Sequence, residues 1–355
     1  MSRVDFGYRT GSLRARHASV RVPARLVVVS GVLLLLAAAL STIAVRFGDY
    51  PLTLSEVLTA ARGAGDEFHR LVVLEWRAPI AVAAVAFGAV LGVGGAIFQS
   101  LTRNPLGSPD VIGFDAGSYT AVVVMILLVN ARDYWTLASA SLAGGMLTAV
   151  VVYALAWRRG TQGFRLIIVG IGVTAMLGSV NAYLITRADV EDAMVVGFWG
   201  AGSISRVSWT SMVPALMAIT VLLVAAAMLS PALHRLELGD DTAITHGTRI
   251  GLVRPALIVV GVATTALVTA AAGPIGFIAL VAPQLARRLT RSAGVSLVGA
   301  AAMGAALLSA AHLLSLVIAS VYRTVPVGLI TVSLGGIYLI WLLIREARRN
   351  ASPGA

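Results

Sequence analysis

Residues 26–45 read LVVVSGVLLLLAAALSTIAV, twenty positions without a charge, bounded by Arg25 and Arg46. Twenty helical residues rise about 30 Å, the thickness of a bilayer's hydrocarbon layer. Inside that layer no water satisfies backbone N–H and C=O groups, so a spanning segment is a helix or part of a closed barrel. Barrel strands are shorter and alternate in polarity, whereas this block is apolar throughout. Similar blocks recur as far as residue 344. The expected fold is therefore all-α, a polytopic membrane protein. A charged start followed by an apolar block also fits a cleaved signal peptide. Because the block exceeds a usual signal core, a retained first span is expected.

Composition agrees. Of 355 residues, 58% are hydrophobic and only 12% charged, against roughly 25% charged in soluble domains. The net charge is +11, and all 27 basic residues are arginine. These arginines lie in short loops between apolar blocks, where they set membrane orientation, so nucleic acid is not an expected partner. No cysteine is present, which excludes disulfides and thiolate metal sites. No lysine is present, which excludes a P-loop; if ATP energises this chain, another chain binds it.

Ten spans are expected, at about 26–45, 78–100, 112–130, 136–156, 164–186, 209–230, 254–272, 275–290, 295–320 and 327–344. They divide the chain into an arginine-rich tail (1–25), a transmembrane domain (26–345) and a second tail (346–355). An even number of spans places both termini on one side. That side carries nineteen arginines and the other eight, so the termini are expected to be cytoplasmic. Outside, residues 51–58 predict a short surface helix capped by Thr53 or Ser55. Residues 187–208 are too polar to span.

Three segments carry the functional signal. Residues 99–114, from Gln99 through Asn104, Pro105 and Gly113, hold two prolines, two glycines and several polar side chains. Irregular backbone at membrane depth is tolerated only in protein or along a watery cavity; the alternative is an ordinary loop. Residues 236–251 mix Glu237, Asp240, Asp241, His246 and Arg249 with Leu238, Ala243 and Ile244 near helical spacing. They read as an amphipathic helix for a partner's groove or as a solvated loop. Neighbouring Asp240 and Asp241 point about 100° apart on a helix, a poor metal or acid–base pair. Residues 273–288 begin at a helix break, contain Pro283 and end in Arg287 and Arg288. Gln99, Asn181, Gln284 and His312 are the polar residues noted within the spans, lining a pathway or joining packed helices. Every Asp and Glu is assigned to a loop or tail, which disfavours an ion-coupled carrier. No cluster of His or carboxylates supports a membrane enzyme.

Together these segments resemble the FecCD-type permeases of iron–siderophore and vitamin B12 ABC importers. Arg77-Ala78-Pro79 is similar to that family's Arg-Leu-Pro-Arg motif. Asn104-Pro105-Leu106-Gly107 is similar to its Asn-Pro-Leu-Ala/Gly signature. Leu238-Gly239, Ala243 and Gly247 resemble its cytoplasmic Leu-Gly-x3-Ala-x2-Leu-Gly motif, and 273–288 resemble Gly-Pro-Ile-x-Phe-x-x-Leu-x-x-Pro-His-x-x-Arg. The wording resembles in particular the ferric enterobactin permease subgroup.

The resemblance implies ten helices per subunit and a second permease subunit, in a heterodimer. It also implies a cytoplasmic ATPase dimer that holds ATP and magnesium, and an extracytoplasmic binding protein that delivers a ferric siderophore. It implies a bacterial inner-membrane location and no cofactor or metal held by this chain. Leu238, Gly239, Asp240, Asp241, Ala243, His246 and Gly247 correspond to the loop that presses into the ATPase, with His246 in place of leucine. Arg77 corresponds to an arginine that docks the binding protein. Ile80 stands where a second is usual, and Arg323 is the substitute candidate. Gln284 replaces a histidine. A cobalamin or haem importer permease, and a carrier without an ATPase, are the alternatives.

Overall fold

The structure, a computed structural model, describes residues 10–15, 18–110, 112–156 and 163–350. Parts of both predicted tails, together with Arg158 and Arg159, lie outside the described residues. Within the first tail, Thr10–Ala15 pairs antiparallel with Ala18–Pro23 as a two-stranded hairpin. From there on the described chain is helical.

The long helices are α1 (Ala24–Ala44), α4 (Ala78–Thr102), α6 (Tyr134–Ala156), α7 (Gly163–Arg187), α9 (Trp209–Glu237), α11 (Ile250–Ala272), α13 (Leu297–Val321) and α14 (Val327–Asn350). Among the described residues, eight helices are long and apolar enough to cross a membrane. The other two predicted spans are also helices but shorter: α5 is Phe114–Leu127 and α12 is Ile278–Thr290, of 14 and 13 residues. At 1.5 Å per residue each covers about 20 Å, two thirds of the hydrocarbon layer. Each follows an irregular stretch, 103–110 with 112–113 before α5 and 273–277 before α12.

The predicted surface helix is α2 (Leu54–Ala61). Thr53 caps it, and Glu56 closes the reciprocal bond to the Thr53 backbone N–H at 2.7 Å. The polar stretch 187–208 folds into α8 (Val190–Gly200). The second span begins earlier than expected. α3 (Glu67–Arg70) runs through a π-helical stretch, Leu71–Arg77, directly into α4, giving 36 continuous residues. Glu75, Trp76 and Arg77 before Pro79 look like a loop in sequence; the widened π-helical turn makes room for the Pro79 ring, which has no N–H to donate to the preceding turn.

α4 lies at the centre, against α9, α11, α12 and α13. Its small residues let backbones meet, the packing mode available in lipid where no hydrophobic drive holds helices together. A Cβ placed on Gly95 lies 1.7 Å from the Ala279 carbonyl oxygen, and one on Gly92 lies 2.1 Å from that of Ala300. The obstacles are backbone, which cannot rotate away. Gly95→Ala is expected to cost about 1–3 kcal/mol by overpacking, read as a lower melting temperature of the purified protein. An unchanged melting temperature contradicts this packing. α1 instead turns Val27, Val28, Val32 and Leu35 outward toward lipid and packs its inner face on α13.

Candidate functional site

Two places gather the singled-out residues: the connection from α9 to α11, and the meeting of the two interrupted helices.

In the connection, α9 ends at Glu237 and the six-residue α10 (Asp240–Thr245) follows. Gly239 makes the turn with φ 118° and ψ 155°, a region only glycine occupies freely. Asp240 then accepts from two arginines. Arg103 Nη2 lies 2.5 Å from Oδ1, and Arg254 Nη2 lies 2.8 and 2.9 Å from Oδ1 and Oδ2. Arg103 also donates to the Leu236 carbonyl through Nε at 3.1 Å and Nη2 at 3.0 Å, tying the loop after α4 to the end of α9. Glu237 Oε1 accepts from Ser100 Oγ at 2.6 Å and from the Val295 backbone N–H at 3.3 Å. Partial burial pushes the Asp240 carboxyl up. The hydrogen bonds and charges of Arg254 and then Arg103 outweigh it, so the net shift is below the usual aspartate range.

The outward surface of this segment comprises Leu238 and Ile244, 68% and 59% exposed, with Asp241, His246 and Gly247. Ala243 does not belong to that surface. It is fully buried against Leu236, Leu257 and Ile97, so it anchors the segment to its own chain. The apolar stripe expected from sequence is split, with Ala243 inward and the two larger residues outward.

In the second place, the Phe277 backbone N–H donates to Asp110 Oδ2 at 2.8 Å. The two interruptions are thereby joined directly. Asp110 Oδ1 is buried without a partner. Asp115 sits in the first turn of α5, buried, and its Oδ1 accepts from Thr269 Oγ1 at 3.1 Å. This corrects the expectation that every carboxylate lies in a loop or tail. Asp115 falls inside the predicted span 112–130, and its nearness to the loop prolines hid it. Gly113, with φ 92°, precedes α5, and the Thr174 hydroxyl occupies the space a side chain would need.

Toward the arginine-rich end, Gln284 Nε2 donates to the Pro105 carbonyl at 2.8 Å and the Leu280 carbonyl at 3.1 Å, and Tyr338 donates to Gln284 Oε1 at 3.2 Å. Gln99 Nε2 donates to Leu280 at 2.8 Å. Asn104 Oδ1 accepts from the Leu106 N–H at 2.9 Å, a local turn. Gln99, Asn104, Pro105 and Gln284 thus line one open cleft of about 650 Å³, with Arg103, Arg287, Arg288 and Arg291 around it. Asn181 and His312 are buried in α7 and α13 and do not line it; Asn181 Oδ1 has no partner.

On the opposite face, Arg77 donates to the carbonyls of Val45 at 2.9 Å and Tyr50 at 2.6 Å. Its guanidinium pins the loop after α1, which leaves fewer donors for another protein. Arg323 is exposed in the short connection before α14.

The profile of the FecCD transport family matches residues 33–345. The chain belongs to that family. Its FecCD relatives match nearly end to end. The ferric enterobactin transport system permease protein FepG of Escherichia coli K12 is 46% identical over 305 residues, covering 86% of this chain and 92% of its own. The iron(3+)-hydroxamate import system permease protein FhuG of Bacillus subtilis 168 is 33% identical, covering 90% and 97%. A solved chain described as an inward-facing metal-chelate type ABC transporter superposes with a TM-score of 0.76 at 22% identity, over 89% of this chain and 98% of that one. That likeness establishes the fold. The FecCD chain is a multi-pass membrane protein, and its work is transport rather than catalysis.

Proposed function

We propose that this chain is the membrane-spanning permease subunit of an ABC importer that carries a ferric siderophore of the catecholate, enterobactin-like class into the cytoplasm. The observation that carries the cargo is the 46% identity to the ferric enterobactin permease over 86% of the chain. The importer comprises a second permease subunit, two cytoplasmic ATPase subunits that hold ATP and magnesium, and an extracytoplasmic binding protein. Both termini are cytoplasmic on the arginine count.

In this reading the exposed part of 238–247, with Leu238, Asp241, Ile244, His246 and Gly247, lies against the ATPase. Gly239, Asp240 and Ala243 fix its position. ATP-driven closure of the partner pair moves this segment, and Asp240 passes the movement through Arg103 to the loop after α4 and through Arg254 to α11. The interrupted helices then shift against each other, opening the path to one side and closing it to the other. Gln99, Asn104, Pro105 and Gln284 border the inner mouth, where four arginines suit the exit of an anionic chelate. Gly113, Asn181 and His312 remain candidates deeper along the path. Arg323 is the freer of the two candidates for the binding protein.

Uptake of radiolabelled iron bound to a panel of siderophores tests the assignment. A strain lacking this gene is expected to lose ferric catecholate uptake and to regain it on complementation, with citrate and hydroxamate uptake unaffected. Loss confined to another chelate overturns the cargo; uptake that persists without the cognate ATPase overturns the importer itself.

A further inference from the structure

A second cavity shares the turn from α12 to α13 with the inner cleft. It has a volume of about 750 Å³ and is lined by the first turn of α1 with Arg25, by His234 near the end of α9, and by the turn from α12 to α13 with Arg291 and Ser292. Among the described residues that line it none is a carboxylate, and Glu237 reaches only the shared turn, where it accepts from the Val295 N–H. Arg25 is held in place there, donating from Nε to the Leu289 carbonyl at 2.8 Å; its terminal N–H groups and Arg291 have no carboxylate partner among the described residues. His234 Nδ1 lies 2.7 Å from the Ser230 carbonyl, so that nitrogen is the donor and Nε2 is the ring atom left for another group.

The helices that border this cavity carry exposed apolar side chains, and these decide what it suits. Val27 and Val28 on α1, Val298 in the first turn of α13 and Met228 on α9 are all exposed large hydrophobics, Val298 at 62% and Met228 at 78%. The cavity therefore joins cationic groups at a membrane boundary to hydrocarbon-facing helix surfaces that lead away from it. A soluble anion needs only the first of these. An anionic lipid uses both, its phosphate among the arginines and its acyl chains along α1, α9 and α13. Basic pockets between transmembrane helices on the cytoplasmic side bind anionic headgroups in this way.

We propose that this cavity is a binding site for the headgroup of an anionic phospholipid of the inner leaflet. The lipid wedges the start of α1 against the α12–α13 turn. It thereby sets the position of Arg291, which also borders the inner cleft.

The test uses the purified full-length chain in detergent with phosphatidylglycerol, phosphatidylcholine or glycerol 3-phosphate, read by native mass spectrometry and thermal melting. Phosphatidylglycerol is expected to be retained and to raise the melting temperature. Retention is expected to fall about tenfold to thirtyfold in the R25Q/R291Q variant, two arginines at about tenfold or less each. Arg62→Gln, at the opposite face, is expected to behave as wild type. Equal retention of the zwitterionic lipid, or undiminished retention by the double variant, overturns the proposal. An equal effect of glycerol 3-phosphate assigns the cavity to a soluble anion and also overturns it. Should the double variant fail to accumulate, the contrast between the two lipids on the wild-type chain decides. A photocrosslinking residue at position 298 in the assembled importer is expected to label phospholipid; labelling of a protein partner shows that the cavity is a protein interface instead.

Discussion

Asp240→Ala is expected to cut uptake by about fivefold to 150-fold while the chain still inserts and accumulates. The carboxylate holds two arginines from different parts of the chain, Arg103 after α4 and Arg254 in α11. The Arg254 side chain is only 13% exposed, so the substitution takes a carboxylate away from a largely buried cation. The static contribution of the cluster is small, because Asp240 and Arg103 are both substantially exposed and such pairs are worth about 0–1 kcal/mol. On the proposed mechanism, what the substitution removes is the linkage from the exposed segment to α4 and α11. Coupling energies of about 1–3 kcal/mol correspond to 5–150-fold changes, and the loss of uptake should fall in that range. Because the pairs share one carboxylate, Arg254→Ala in the Asp240→Ala background should add little further loss. The dependence on pH has a definite sign. The Asp240 carboxyl is held below its usual range, so its contribution is complete at neutral pH and fades only as pH falls through that lowered value. Uptake and ATPase co-purification, measured together, check this. An Asp240→Ala strain that takes up iron normally removes the segment from the mechanism.

Much of the architecture is legible in residue order. Apolar blocks of about twenty residues declare helices, and all ten expected spans are helical. Thr53 and Glu56 carry the spacing of a capping box, and α2 starts where that motif says. What is illegible depends on partners distant in sequence. Nothing near Arg77 reveals that it reaches back 32 residues to the Val45 carbonyl. Ala243 and Ile244 are adjacent and both apolar, yet one is buried and the other exposed, because Ile97 and Leu257 supply the core on one side only. Asp115 shows the same limit most clearly. A single aspartate after two prolines and Gly113 reads as loop, and only the tertiary fold shows α5 starting at Phe114 with Thr269 opposite. The glycines of α4 identify a close-packing helix from sequence, but not that Gly95 faces α12 and Gly92 faces α13.

Asp110 is the other residue whose removal is expected to curtail transport. It lies in the interruption before α5 and accepts from the backbone N–H of Phe277 in the interruption before α12. Phe277 has φ 67° and ψ −22°, a left-handed conformation that costs a non-glycine residue about 1–3 kcal/mol and persists only where its surroundings enforce it. Its ring lies against Gly335 of α14, where any side chain would collide with it. The Asp110 bond and the Gly335 contact are thus two restraints on one strained residue at the hinge of α12. Asp110→Ala removes the first, leaves a partly buried N–H without this acceptor and forfeits a charge-assisted bond of about 1.5–3 kcal/mol. That loss falls on the joint between the two short helices, which Gln284 of α12 also ties through the Pro105 carbonyl. Uptake is expected to drop about tenfold or more, with a lower melting temperature. Asp110→Asn separates two explanations, since asparagine keeps an oxygen for the Phe277 N–H but not the charge. If the latch is what matters, the asparagine variant retains a substantial part of wild-type uptake. If the negative charge beside Asp115 acts on the cargo, the asparagine and alanine variants fail alike. An alanine variant that transports and melts like the wild type shows that the two interruptions do not depend on this bond.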